Sequence, residues 1–232
     1  MTTRQLCRWH VFPTAVELQQ ASARAILAAA EAAISGRGRF DLVLAGGGTP
    51  RAVYQLLRGA DARWQHWHVW YGDERCLPPE DAERNSLMAS RALLDHVPVP
   101  PIQVHSIPAE LGATEGAAAY CEELQEVGTF DLVLLGMGED GHTASLFPGH
   151  TWDHNPPTPA IPVKHSPKPP AERVSMSASR LSNAHQVIFL VTGEGKQHAV
   201  QQWKGSAFMP VKAITPEAGV DIYLDRAASP SS

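Results

Sequence analysis

Apolar residues in this chain follow two alternating rhythms. Phe40-Asp-Leu-Val-Leu-Ala-Gly46 is a short, nearly unbroken apolar run ending in glycine, and Phe130-Asp-Leu-Val-Leu-Leu-Gly136 repeats it almost residue for residue. Neither run alternates apolar with polar, so each suits a strand buried on both faces of a parallel sheet. Residues 67–71, 103–107, 187–192 and 221–224 read as further strands. Between the strands the apolar spacing changes to three and four. Leu18, Ala21, Ala25, Ala28 and Ala32 form one face of a helix, opened by the capping-box pair Thr14 and Glu17 and closed by Gly36. Residues 50–58, 86–94, 114–127 and 195–203 carry further helical patterns. Strands alternating with helices predict βαβ units, right-handed crossovers and a mostly parallel sheet, in one domain over residues 1–232. Residues 150–170 break the rhythm. Their seven prolines and lack of periodicity predict a long loop, the kind that often serves a site.

Composition narrows the class. The 232 residues are 44% hydrophobic and 19% charged, which suits a folded globular chain rather than a disordered one. Nineteen basic against 24 acidic residues give a net charge of −5, so no global basic field exists and nucleic acid is not expected as a partner. No apolar stretch is long enough to span a membrane. Residues 1–10 lack the apolar core of a signal peptide. Cys7, Cys76 and Cys121 show no Cys-x-x-Cys spacing, which supports neither a disulfide framework nor a structural zinc. Free thiols in a reducing cytoplasm are the expectation.

The candidate chemistry lies in the loops after the strands. In Gly46-Gly-Gly-Thr-Pro50 the glycines let backbone N–H groups approach a ligand, Thr49 is placed to act as N-cap, and Pro50 suits the first helical turn. Such a helix start receives phosphate. Gly136-Met-Gly-Glu-Asp-Gly141 has the G-x-G-x-x-G form of a dinucleotide loop. Against that reading, Glu139 and Asp140 put carboxylates where a pyrophosphate would sit, and Pro148 curtails any following helix. The loop instead offers His142 beside Asp140 at a strand end, where ligands of open parallel sheets bind. Asp73-Glu-Arg75 follows another strand, and Arg75 is able to grip a phosphate. His150, Asp153 and His154 have no regular scaffold to fix a metal geometry, so no metal is expected.

These runs, together with Lys168-Pro-Pro170, Glu172-Arg173 and Gly193-Glu-Gly-Lys196, resemble the 6-phosphogluconolactonase branch of the glucosamine-6-phosphate isomerase/6-phosphogluconolactonase family, in the same order. The segment from Asp140 to Gly149 is its most specific part. The resemblance implies a Rossmann-like three-layer α/β sandwich of strand order 3-2-1-4-5-6, with 42–45 and 132–135 as adjacent central strands. It implies hydrolysis of a small-molecule sugar-phosphate lactone, 6-phospho-D-glucono-1,5-lactone, in the oxidative pentose phosphate pathway, without cofactor, by a cytoplasmic monomer or weak homodimer. It makes His142 the catalytic histidine with Asp140 its candidate orienting group. Gly47, Gly48, Thr49, Asp73, Arg75, Arg173 and Lys196 become phosphate or sugar contacts. Candidate oxyanion donors are the loop N–H groups or Arg75. Two positions depart from the family: Arg84 precedes Asn85 where Ser-Asn is favoured, and Val174-Ser-Met-Ser177 replaces a Thr-rich strand. The nearest rival, a glucosamine-6-phosphate deaminase, is expected to carry glutamate in an Asn-Glu-Pro run beyond the histidine; this chain has Leu146-Phe147-Pro148. A non-catalytic sugar-phosphate sensor on the same fold is the other alternative.

Overall fold

The computed structural model describes residues 5–153 and 157–230. In chain order its elements are β1 (Cys7–Phe12), α1 (Ala15–Arg37), β2 (Phe40–Leu44), α2 (Gly48–Leu57), β3 (Trp67–Tyr71), β4 (Asp73–Arg75), α3 (Asn85–Ala92) and β5 (Val104–His105). There follow α4 (Ala113–Gln125), β6 (Phe130–Gly136), β7 (Ala160–Val163), β8 (Arg173–Met176), α5 (Ala178–Ser182), β9 (Ala184–Val191), α6 (Gln197–Lys204) and β10 (Val220–Asp225). Seven strands form one parallel sheet in the order β1-β10-β9-β6-β2-β3-β5. Helices flank it in a three-layer α/β arrangement.

The two matching runs lie side by side. Leu42 pairs with Leu132 and Val43 with Val133. Sequence order runs outward in both directions from this pair, through β3 and β5 on one side and β9 and β10 on the other. Strand order therefore reverses between β2 and β6, and the loops beyond their carboxyl ends flank one crevice. β2 is buried along its whole length, which explains its unbroken apolar pattern.

The sheet differs from the six-strand expectation at its edge. β1 adds parallel to β10, a pairing that no feature of the N-terminal sequence announced. A second, antiparallel sheet of order β4-β8-β7 is also present. β7 falls inside the stretch expected to be all loop; Pro162 is tolerated there because β7 is an edge strand and can spare a donor. His154 lies outside the described residues. Helix α1 ends at Gly38 rather than Gly36: Gly38 takes φ 76° and its N–H reaches the Ile34 carbonyl. Its Thr14 Oγ accepts from Glu17 N–H, but the Glu17 carboxylate bonds the Thr14 hydroxyl instead of closing a reciprocal box. Gly47, not Thr49, is the N-cap of α2.

The amino ends of the central strands are closed by ion pairs. Asp41, Asp131 and Asp221 are nearly buried, and each meets an arginine: Arg39, Arg37 and Arg8 respectively. At the opposite ends, two buried tyrosines satisfy backbone groups left by the departing chain. The Tyr54 hydroxyl accepts from Ala45 N–H and donates to Ala45 C=O, both at 2.9 Å. Tyr120 treats Tyr71 in the same way. Burial pushes both phenols well above their usual range, so each remains a neutral donor.

Tyr54→Phe removes one oxygen and leaves two buried backbone groups unpaired. It is expected to cost about 2 kcal/mol of stability, read as a lowered urea midpoint at unchanged slope. An unchanged midpoint would show that the glycine loop does not depend on this anchor.

Candidate active site

A cleft of about 230 Å³ opens beyond the carboxyl ends of β2, β3 and β6. Its floor begins with the glycine loop. Gly47 has φ 105°, a conformation L side chains rarely adopt, and it turns the chain from β2 directly into α2. Because position 50 is proline, the first turn of α2 offers the N–H groups of Gly48 and Thr49 at the positive end of the helix. The Thr49 hydroxyl is committed elsewhere, to Thr192 Oγ1 at 2.6 Å.

The second loop presents His142. Its Nδ1 bonds Asp140 Oδ1 at 2.5 Å, and its backbone N–H reaches the same oxygen at 3.2 Å. With Asp140 ionised, the proton sits on Nδ1 and Nε2 is the ring's free base. Gly138 is required for this arrangement, since a Cβ there would overlap both the imidazole and the Asp140 carboxylate. The fully buried Phe147 ring packs 4.7 Å from the imidazole, centroid to centroid. Burial lowers the His142 pKa from 6.5, outweighing the opposing pull of Asp140, so the ring is neutral near pH 7. Burial raises Asp140, but the hydrogen bond and charge of His142 prevail and hold it below 3.8.

The Asp-Glu-Arg run reaches the cleft through the second sheet. Pairing of β4 with β8 sets Asp73 opposite Ser175 and Arg75 opposite Arg173. Glu74 is fully buried and accepts from the N–H groups of Asn85 and Ser86, each at 2.8 Å, which caps α3. Arg84 is spent on the same framework: it contacts Glu74, Glu110 and two carbonyls. Asp73 is a cross-link. Its two oxygens accept from Ser145 Oγ at 2.5 Å and Asn85 Nδ2 at 3.1 Å.

Six of the expected residues wall this one cleft: Gly47, Asp73, Arg75, His142, Arg173 and Lys196. Asp140 stands behind His142, and Gly48 and Thr49 lie within α2. Arg75 donates to the Glu83 carbonyl while its buried Nε has no partner among the described residues. Burial lowers the Lys196 pKa and Glu139 partly restores it. Two lining residues with polar side chains had no assigned role. Asn85 enters through its bond to Asp73; Lys168, known from the sequence only as part of a matching run, enters from the proline-rich segment.

Comparison with known proteins agrees with this fold. The family model for glucosamine-6-phosphate isomerases/6-phosphogluconolactonase matches residues 13–223. The chain belongs to this family. Among its relatives, a 6-phosphogluconolactonase of Streptomyces coelicolor is 39% identical over 200 residues, covering 78% of this chain and 76% of that protein. A 6-phosphogluconolactonase of Nostoc is 35% identical over 231 residues, covering 94% and 95%. The solved 6-phosphogluconolactonase of Trypanosoma brucei superposes with a TM-score of 0.85 at 28% identity, covering 97% of this chain and 98% of that one.

Asp140→Asn tests the histidine's environment. Asp140 raises the His142 pKa against burial, so removing its charge is expected to move that pKa further down. An NMR titration of the His142 ring protons reads it; an upward or absent shift would show that Asp140 does not set the titration.

Proposed function

We propose that the protein hydrolyses 6-phospho-D-glucono-1,5-lactone to 6-phospho-D-gluconate, a step of the oxidative pentose phosphate pathway, in the cytoplasm. The observation that carries this reading is a neutral imidazole, fixed through Nδ1 on Asp140, in one cleft with Arg75, Lys168 and Lys196. The names of the relatives support the same substrate.

His142 Nε2 takes a proton from water as the oxygen adds to C1, and the carbonyl electrons move onto its oxygen. The resulting oxyanion collapses and breaks the bond from C1 to the ring oxygen. That oxygen takes the proton back from His142 and becomes the C5 hydroxyl. Proton donation and return need no cofactor. The phosphate, carrying nearly two charges, is held by the α2 N-terminus with Arg75 and Lys196, whose local field overrides the net charge of −5.

His142→Ala is expected to lower kcat by about 10²–10⁴ with the fold retained. The assay is pH-stat titration of freshly made lactone, corrected for spontaneous hydrolysis. Turnover of the variant close to wild type would remove His142 from the mechanism. In the wild type only the neutral ring acts as base. Activity should therefore rise with pH through the His142 pKa, with the acid limb centred below 6.5; a midpoint above that value contradicts the buried base.

Phe147 separates this reaction from deamination. The deaminase glutamate expected at that position is replaced by a buried phenyl ring, which can neither give nor take a proton. A lactone presents its carbonyl carbon without ring opening, so the missing acid matters only to the amino sugar. No ammonia above background is expected from glucosamine 6-phosphate under conditions of rapid lactone hydrolysis. Comparable rates of the two would favour the deaminase.

A further inference from the structure

Residues 164–172 form a strap between β7 and β8, and one of its side chains, Lys168, enters the cleft wall. The strap's backbone is held with unusual completeness. Lys168 N–H donates to Ser166 Oγ at 3.2 Å, and that hydroxyl donates to the Lys168 carbonyl at 2.8 Å. Ser166 N–H reaches the Ala171 carbonyl at 2.9 Å. From beneath, the Arg173 guanidinium donates to three successive carbonyls, of Lys168, Pro169 and Pro170, at 3.2, 2.9 and 3.3 Å. Arg173 is only 5% exposed, and Asp73 lies 4.0 Å away as its counter-charge. With Nη1 on Ser145 Oγ at 3.5 Å, a buried fork whose Nε and Nη2 both go to one turn of backbone is a fixture of that turn. Lysine, with one ammonium on a flexible stem, has no rigid fork to span those carbonyls.

The cations of the cleft are not equivalent. Arg75 and Arg173 sit opposite each other on β4 and β8, beside Asp73. Lys168 lines the same cleft wall as His142 and comes from the strap rather than from β4 or β8, and its charge lowers the His142 pKa. A positive charge beside the base opposes protonation of the resting imidazole. It also attracts negative charge developing on an atom bonded to the carbon that the activated water attacks.

We propose that Lys168 is a catalytic residue whose ammonium, presented by the Arg173-held strap, donates to the lactone carbonyl oxygen as it becomes an oxyanion. Arg173 is then a positioning residue rather than a phosphate ligand. This rests on lactone hydrolysis at His142, as set out above. No bond of the reaction changes; the carbonyl electrons gain a cationic partner while the tetrahedral intermediate lasts.

The test is a kinetic comparison of wild type, Lys168→Met and Arg173→Lys on 6-phosphogluconolactone, with Kd for 6-phosphogluconate measured separately. For Lys168→Met, kcat is expected to fall about 10²–10³-fold, the scale of one lost oxyanion donor. KM should stay within about threefold, since the lactone carbonyl is uncharged, whereas product Kd should rise, because the product's C1 carboxylate places negative charge at the same oxygen. The acid limb should move up in pH, because the charge opposing protonation of His142 has gone; a merely structural defect would not do this. Arg173→Lys should reproduce the kcat loss at retained KM, and combining it with Lys168→Met should add little. If Arg173→Lys fails to fold, Lys168→Met, at an exposed position, decides alone. A Lys168→Met kcat within about threefold of wild type, or a loss confined to KM and product Kd, overturns the inference and leaves the hydrolase reading standing. Wild-type protein without lactonase activity overturns both.

Discussion

The in-register pairing of β2 with β6 is the contact on which the rest of the molecule depends. Leu42 meets Leu132 and Val43 meets Val133, so two runs of the same length leave the sheet at one level. A slip of one residue would turn every side chain of the strand to the other face. It would also displace one loop from the other by about 3.3 Å, enough to part a base from its substrate. Strand order reverses at this pair, so the two loops diverge and leave a crevice instead of packing together. The glycine loop and His142 face each other for that reason.

The two edges of the parallel sheet, at the amino and carboxyl ends of its strands, carry different chemistry. At the amino ends, Asp41, Asp131 and Asp221 are neutralised by arginines and lock the rim. At the carboxyl ends, tyrosine hydroxyls satisfy the backbone without adding charge. The acids that approach the cleft are likewise engaged: Glu74 caps α3, Asp73 bonds Ser145 and Asn85, and Asp140 holds His142. What remains turned to the cleft is cationic. A chain of net charge −5 can therefore receive a phosphate ester, because field is set by the charges nearest the crevice and not by their total.

The second sheet converts loops into a wall. β4 is three residues long and has no stability alone. Pairing with β8 holds it, and the same pairing brings Lys168 of the 164–172 strap to the cleft that His142 lines. The site thus has one rigid half, made by the parallel sheet, and a second half that exists only because two distant segments cross-link around Asp73.

Much of the parallel sheet and half of the site were legible in the sequence, because local rules govern them. Unbroken apolar runs mark strands buried on both faces, helical spacing marks the layers above and below, and glycines at strand ends mark close approaches of backbone. Gly47, Asp140 and His142 sit on such features and could be named from them. The Thr14 cap was legible, but the C-cap of α1, the N-cap of α2, the edge strand β1 and the strand β7 were missed, since Gly38 against Gly36 is decided by tertiary fit and edge pairing leaves no periodic trace. The placement of Lys168 and Asn85 on the cleft wall and the engagement of Asp73 belong to the tertiary structure alone. They depend on β4 finding β8 across about a hundred residues of chain, and on which donors then fall within hydrogen-bond reach of one carboxylate. The sequence by itself determined which residue types stand at the ends of the strands; only the folded chain decided which of those groups spend their bonds on the framework and which are left facing the cleft.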